Sequence, residues 1–148
     1  MTIIKKEMIF LDSDLKTRDE IICFLANQAF QLGLVKDEKT YAKAVFEREK
    51  EMPTAIGYDL AIPHGKSKTI ETPFVLFLRL KEKIEWTDHN NEVKMVFILG
   101  IPSEGAEKTH LKILSQISRK LMHDNFRQEL MNENNRDEIY RLLNEIDL

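Results

Sequence analysis

The sequence is poor in the residues that staple or punctuate a chain. A single cysteine, Cys23, stands among 148 residues, so no internal disulfide can form, which suits a reducing compartment and predicts a cytoplasmic protein. Four prolines and five glycines make no flexible linker, and no repeat or low-complexity tract interrupts the chain. One domain over residues 1–148, long enough to bury a proper core, is expected. No apolar run approaches the roughly 20 residues of a membrane span. The start, Met1-Thr2-Ile3-Ile4-Lys5-Lys6-Glu7, lacks the apolar centre of a signal peptide, so neither membrane insertion nor secretion is expected. Charge of one sign is also missing. Lys and Arg number 22 against 25 Asp and Glu, interspersed along the chain for a net −3, which argues against a nucleic-acid partner.

What is present reads as strands and helices in turn. Met8-Ile9-Phe10-Leu11 is a short strand candidate, and Thr17-Arg18-Asp19-Glu20 has the form of a capping box. In the helix that follows, Ile21, Leu25, Gln28 or Ala29, and Leu32 recur at helical spacing, and Gly33 is placed to close it. Cys23 lies within this helix and reads as a small core or half-buried thiol, with no adjoining cation to lower its pKa. Asp37 can cap a second helix, about Glu38 to Glu51, in which Tyr41, Ala44, Val45 and Arg48 share a face and which Pro53 ends. Thr54 to Ile62 is irregular-to-extended.

Phe74 to Leu80 and Val93 to Leu99 are β-branched and aromatic, and predict two central strands. The polar stretch between them, Lys81 to Glu92, reads as a loop with one packed aromatic anchor, Trp86, and a solvated turn residue, His89. A further helix is expected from about Thr109 to Met122, with His110, Leu114, Ile117 and Leu121 on its inner face and His123 as a cation against the C-terminal dipole. Asn125 with Gln128, and Asn135 with Glu138, can cap two closing helices.

Three features converge between Glu47 and Lys68. Arg48 falls on the apolar side of its helix, where it either snorkels, pairs with a carboxylate or offers its fork of donors to an anion such as a phosphoryl group. His64 sits between Pro63 and Gly65, where the apolar run Leu60-Ala61-Ile62 ends. Pro63 has no N–H for a ladder and Gly65 no side chain to shield the imidazole, so the ring is expected to be pinned and open on one side. His110, inward in the first turn of its helix, is either a hydrogen-bonded core residue or part of an anion site facing backbone N–H groups.

Other chemistries fail on spacing. Gly65-Lys66-Ser67 resembles the end of a Walker loop, but the glycine it requires five residues earlier is Leu60. The four histidines show no His-x-x-x-His spacing and no cysteine pair exists, so no metal site is expected. No Gly-x-Ser-x-Gly elbow is present for a serine hydrolase. Histidine chemistry survives, with an imidazole nitrogen as nucleophile and a second histidine and an arginine at hand.

Arg48-Glu49-Lys50, Pro53-Thr54, Gly57, Ala61-Ile62-Pro63-His64-Gly65 and His110-Leu111 together resemble the enzyme IIA domains of the fructose/mannitol class of the bacterial phosphoenolpyruvate-dependent sugar phosphotransferase system. The resemblance covers nearly the whole chain and rests on the order and spacing of Arg48, His64 and His110. It implies a single α/β domain, a mixed sheet of about five strands with helices on both faces, and His64 at a strand end near the start of the helix opened by His110. It further implies that His64 takes a phosphoryl group from phosphorylated HPr and passes it to a cysteine of a IIB partner, serving a membrane IIC permease indirectly and using no cofactor. Arg48 and His110 are implied as the groups that meet phosphoryl charge, and Thr54 as a hydroxyl for the same site. The absence of a fused IIB or IIC segment predicts a stand-alone IIA. A regulatory role, as in the nitrogen-related IIA proteins, is the alternative the same residues permit. Tyr58-Asp59 departs from the small residues common at that pair, and Asp59 is expected to face solvent or pair with a lysine such as Lys66 or Lys68.

Overall fold

The computed structural model describes residues 4–88, 91–105 and 107–148; His89 lies outside them. Strand β1, Ile9–Ser13, follows a short 3-10 turn and leads to helix α1, Arg18–Gln31. The Thr17 side chain accepts the Glu20 N–H at 3.1 Å, while the Glu20 carboxylate reaches back to the Lys16 N–H at 3.2 Å, one residue before the partner of an ideal capping box. At the other end the Leu34 and Gly33 N–H groups return to the carbonyls of Ala29 and Phe30, a Schellman closure that needs the positive φ of Gly33, 76°. Cys23 is exposed on this helix, neither in the core nor half-buried as expected; Ile22 and Leu25 take the inner positions beside it.

Helix α2, Glu38–Glu51, is capped by Asp37, whose carboxylate accepts the Thr40 N–H at 3.1 Å. Its buried stripe is Tyr41, Val45 and Glu49 at strict i, i+4 spacing, with Ala44 and Arg48 half-buried at its edge. The expected face is therefore rotated by one position. Strands β2, Ala55–Gly57, and β3, Leu60–Ala61, form a tight hairpin. Tyr58 and Asp59 both hold positive φ, 56° and 62°, as a type I′ turn demands. Such φ costs a non-glycine residue about 1–2 kcal/mol. Against that cost, the Asp59 carbonyl accepts the Lys94 and Met95 N–H groups, and the Arg127 guanidinium stacks 3.9 Å from the Tyr58 ring centre.

Strand β4 is His64–Ser67, β5 is Phe74–Glu85 and β6 is Glu92–Pro102. The six strands form one mixed sheet in the order β1-β5-β6-β3-β2, with β4 also on β6. β1 and β5 run parallel, β5 and β6 antiparallel, and both β3 and β4 lie parallel to β6. Every residue from Phe74 to Leu80 is buried, so both faces of the sheet are covered; each such apolar side chain contributes about 2 kcal/mol by burial. Phe74 meets Tyr41 of α2 edge-on, and Arg79, on the opposite face, donates to the carbonyls of Leu130 and Glu133 at the end of helix α4, Asp124–Asn132.

Of the stretch expected as a loop from Lys81 to Glu92, the first five residues extend β5 and the last opens β6. A bulge between Arg79 and Ile84 lets pairing resume at Ile84 with Val93 and Glu85 with Glu92, because polar residues continue a ladder where their side chains face water. Trp86 is buried, as an anchor should be. Helix α3, Glu107–Leu121, starts two residues before its expected position, and α5, Arg136–Leu143, is capped by Asn135 accepting the Glu138 N–H at 3.0 Å. α4 begins at Asp124, with His123 as its N-cap residue in place of the expected Asn125 cap. His123 thus opens α4, its carbonyl accepting the Arg127 N–H, while its own N–H still returns to the Lys120 carbonyl at the end of α3. Among the described residues no helix is long and apolar enough to cross a membrane.

Candidate functional site

β3 and β4 lie end to end along the same edge of β6. Leu60 and Ala61 pair with Met95 and Val96, and pairing resumes with His64 opposite Leu99. The interruption is Ile62-Pro63, where proline has no N–H to give. His64 therefore stands where a broken strand restarts. While the Pro63 carbonyl accepts the Leu99 N–H of β6 at 2.9 Å, the backbone groups of Ile62 face the other way: its N–H donates to the Thr54 carbonyl at 3.0 Å, and its carbonyl lies 3.0 Å from His64 Nδ1. With Nδ1–H donated to that carbonyl, Nε2 is left as the unprotonated nitrogen.

His64 is 8% exposed, so the ring is more enclosed than the sequence suggested. Gly65 does not open it. A Cβ there would stand 3.0 Å from both the Val45 backbone nitrogen and its Cγ2, so the missing side chain admits helix α2 against β4. That approach brings Arg48 and Glu49 to the neighbourhood of His64.

The His110 ring lies 5.1 Å from that of His64, tilted by 60°. Its Nε2 is buried without a hydrogen-bond partner among the described residues. Burial pushes the His64 pKa below its ordinary 6.5, outweighing the Ile62 bond, with the Arg48 and Lys66 cations adding to the depression and Glu49 opposing it. The His110 pKa is depressed by burial, then by His64, Lys66 and Arg48. Both rings are thus neutral at pH 7. Arg48 is half-buried and donates one Nη1–H to the Met52 carbonyl at 2.8 Å, which anchors the guanidinium at the end of its own helix and leaves its other donors uncommitted to that bond.

The arrangement is a neutral nucleophilic nitrogen beside an unpaired imidazole nitrogen, within electrostatic reach of two cations. That suits receipt of an anionic electrophile such as a phosphoryl group.

The match to the model of the phosphoenolpyruvate-dependent sugar phosphotransferase system, EIIA 2, runs over residues 2–146. The chain belongs to this EIIA family. It is 34% identical over 146 residues to the fructose-specific EIIA component of Haloferax volcanii, covering 98% of this chain and 94% of that one. It matches the fructose-specific EIIABC component of Bacillus subtilis at 28% identity over 98% of its own length but only 23% of that longer protein. Among solved structures, the Escherichia coli complex of mannitol enzyme IIA with phosphorylated enzyme IIB contains a chain that superposes with a TM-score of 0.82 at 24% identity, covering 96% of this chain and 97% of that one. An EIIA of this type is a phosphotransferase component of sugar transport.

Of the four residues that the sequence put forward for this EIIA, His64 and His110 stand side by side with tilted rings and Arg48 lies close enough to act on both. The Thr54 hydroxyl donates its proton to the carboxylate of Glu49. Two residues near the site escaped the sequence reading. Glu49, 4% exposed, carried a signal: a carboxylate on the Tyr41–Val45 stripe. Lys66 follows His64 by two positions on β4 and so shares its face, but a lone exposed lysine carries no such signal. Asp59 pairs with Lys83 at 3.0 Å, turned toward a lysine as expected but a different one.

Proposed function

We propose that the protein is a cytoplasmic phosphocarrier that accepts a phosphoryl group from phosphorylated HPr on Nε2 of His64 and passes it to a cysteine of a IIB partner serving a membrane permease. The observation that carries this reading is the bond between His64 Nδ1 and the Ile62 carbonyl, which holds the proton on one nitrogen and leaves the other free. In the first step the Nε2 lone pair attacks phosphorus, an N–P bond forms, and the electron pair of the donor's N–P bond returns to the donor histidine. In the second a cysteine thiolate of IIB attacks the same phosphorus and Nε2 recovers its pair. Neither step needs a cofactor. Arg48 meets the phosphoryl charge, His110 donates from its otherwise unpaired Nε2, and the remaining contribution is position.

The test is incubation of the chain with phosphoenolpyruvate, enzyme I and HPr, then mapping of acid-labile phosphoryl groups by mass spectrometry beside His64→Ala. A label on His64 that chases to a IIB cysteine is the expected result. A label that stays on His64 replaces the carrier by a regulatory IIA, and no label on the native chain overturns both.

A further inference from the structure

Glu49 is a carboxylate buried on the inner stripe of α2, and it collects donors from two distant segments. The Trp86 indole N–H donates to its Oε2 at 3.2 Å, the Thr54 N–H to the same oxygen at 3.2 Å, and the Thr54 hydroxyl to Oε1. Thr54 in turn accepts the Ile62 N–H on its carbonyl at 3.0 Å, and the Ile62 carbonyl holds His64 Nδ1 at 3.0 Å. An unbroken chain of hydrogen bonds therefore runs from the turn between β5 and β6, through Glu49, to the imidazole. On the β6 side the strand is held through Pro63, whose carbonyl accepts the Leu99 N–H at 2.9 Å, and on the other side Ile62 is held by Thr54. Thr54, clamped by Glu49 at both its N–H and its hydroxyl, supplies the fixed point on that side.

We infer that Glu49 is a positioning residue for phosphoryl transfer: by clamping Thr54 it holds the Ile62 carbonyl on His64 Nδ1 and so keeps Nε2 as the free nitrogen. The inference rests on the phosphocarrier reading for its consequence, but the tautomer it concerns is a property of the resting protein. The role is one of geometry, since an amide can accept the indole and Thr54 N–H bonds on its oxygen and meet the Thr54 hydroxyl with its NH₂. Charge alone is not the requirement.

Imidazole ¹⁵N chemical shifts of His64 separate the two neutral tautomers without any phosphoryl donor. They should be read on the native chain, Glu49→Ala, Glu49→Gln and Trp86→Phe, beside the rate of labelling by phosphorylated HPr. In the native chain one tautomer, protonated at Nδ1, is expected. Glu49→Ala should mix the tautomers and slow labelling by about 10-fold. Glu49→Gln should restore both readings, and Trp86→Phe, which removes one donor and keeps a ring, should shift them partway. A folded Glu49→Ala with native shifts and native rate overturns the inference, and so does a Glu49→Gln as impaired as Glu49→Ala, which would make charge the active quantity. Should Glu49→Ala not fold, native shifts in Trp86→Phe overturn it instead. A native chain with the expected tautomer that takes no label counts against the carrier reading alone.

Discussion

The Tyr41 hydroxyl donates to the Leu99 carbonyl at 2.7 Å, and Leu99 is the residue of β6 that pairs with His64. One buried bond thus joins the helix that carries Arg48 and Glu49 to the strand that registers the nucleophile. Tyr41→Phe removes the donor and leaves that carbonyl short of a partner in the core. The expected cost is about 1–3 kcal/mol of stability, measured by urea unfolding, with slower labelling of His64 as α2 loses its fixed distance from β4.

Gly65→Ala tests the same contact from the other side. The added methyl would meet the Val45 backbone, which cannot rotate away as a side chain can. A loss of about 1–3 kcal/mol is expected by urea unfolding. A stability equal to that of the native chain would mean that α2 does not press on β4 as described.

His110→Leu separates function from stability. Removing a donor aimed at a developing anionic group should slow transfer to His64 by about 10²-fold in a single-turnover assay. The same change deletes a buried nitrogen that has no partner among the described residues, so the midpoint of thermal unfolding should not fall. A variant that loses stability and keeps its rate would assign His110 to the core.

The depressed pKa values of His64 and His110 fix the direction of two pH effects. Both rings bind protons less readily in the folded chain than in the unfolded one, whose histidines titrate near the ordinary 6.5. Their contribution to stability is therefore fully present above pH 6.5 and is lost as the pH falls below it toward the folded values, where the unfolded chain binds more protons. Labelling of His64, which needs the neutral ring, should stay level above pH 6.5 and decline only at lower pH. Titration followed by imidazole NMR should place both midpoints below 6.5; a midpoint above it for His64 would contradict the burial described.

Much of this was legible in the residues. Thr17, Asp37 and Asn135 announced three helix starts because a short polar side chain before an apolar period has few other uses, and Gly33 announced an end for the equivalent reason. Phe74 to Leu80 and Val93 to Leu99 lie on central strands because their composition suits burial on both faces. What escaped depended on registration between segments. The stripe on α2 could be misplaced by one position because Arg48 and Glu49 are both charged, and only the bonds from Trp86 and Thr54 reveal which one is inside. Gly65 was legible as a place that needs a small residue, but whether the space served a ring, a ligand or a helix depended on the packing of α2, which is 20 residues away in sequence at Val45. The carbonyl that holds His64 is only two residues distant, yet its availability depends on Ile62 facing away from β6, a property of the sheet and not of the local sequence.

Trp86 is the chain's one indole, and its N–H rests on the carboxylate of Glu49. Its emission consequently samples a single locality, adjacent to the apparatus that orients His64. Unfolding followed at that wavelength reports the loosening of this corner, while far-ultraviolet circular dichroism reports the helices and sheet as an average. Coincident curves would mean that the nucleophile keeps its orientation until the whole sheet gives way; an earlier optical transition would mean that the site melts first, with no label attached to the protein to see it.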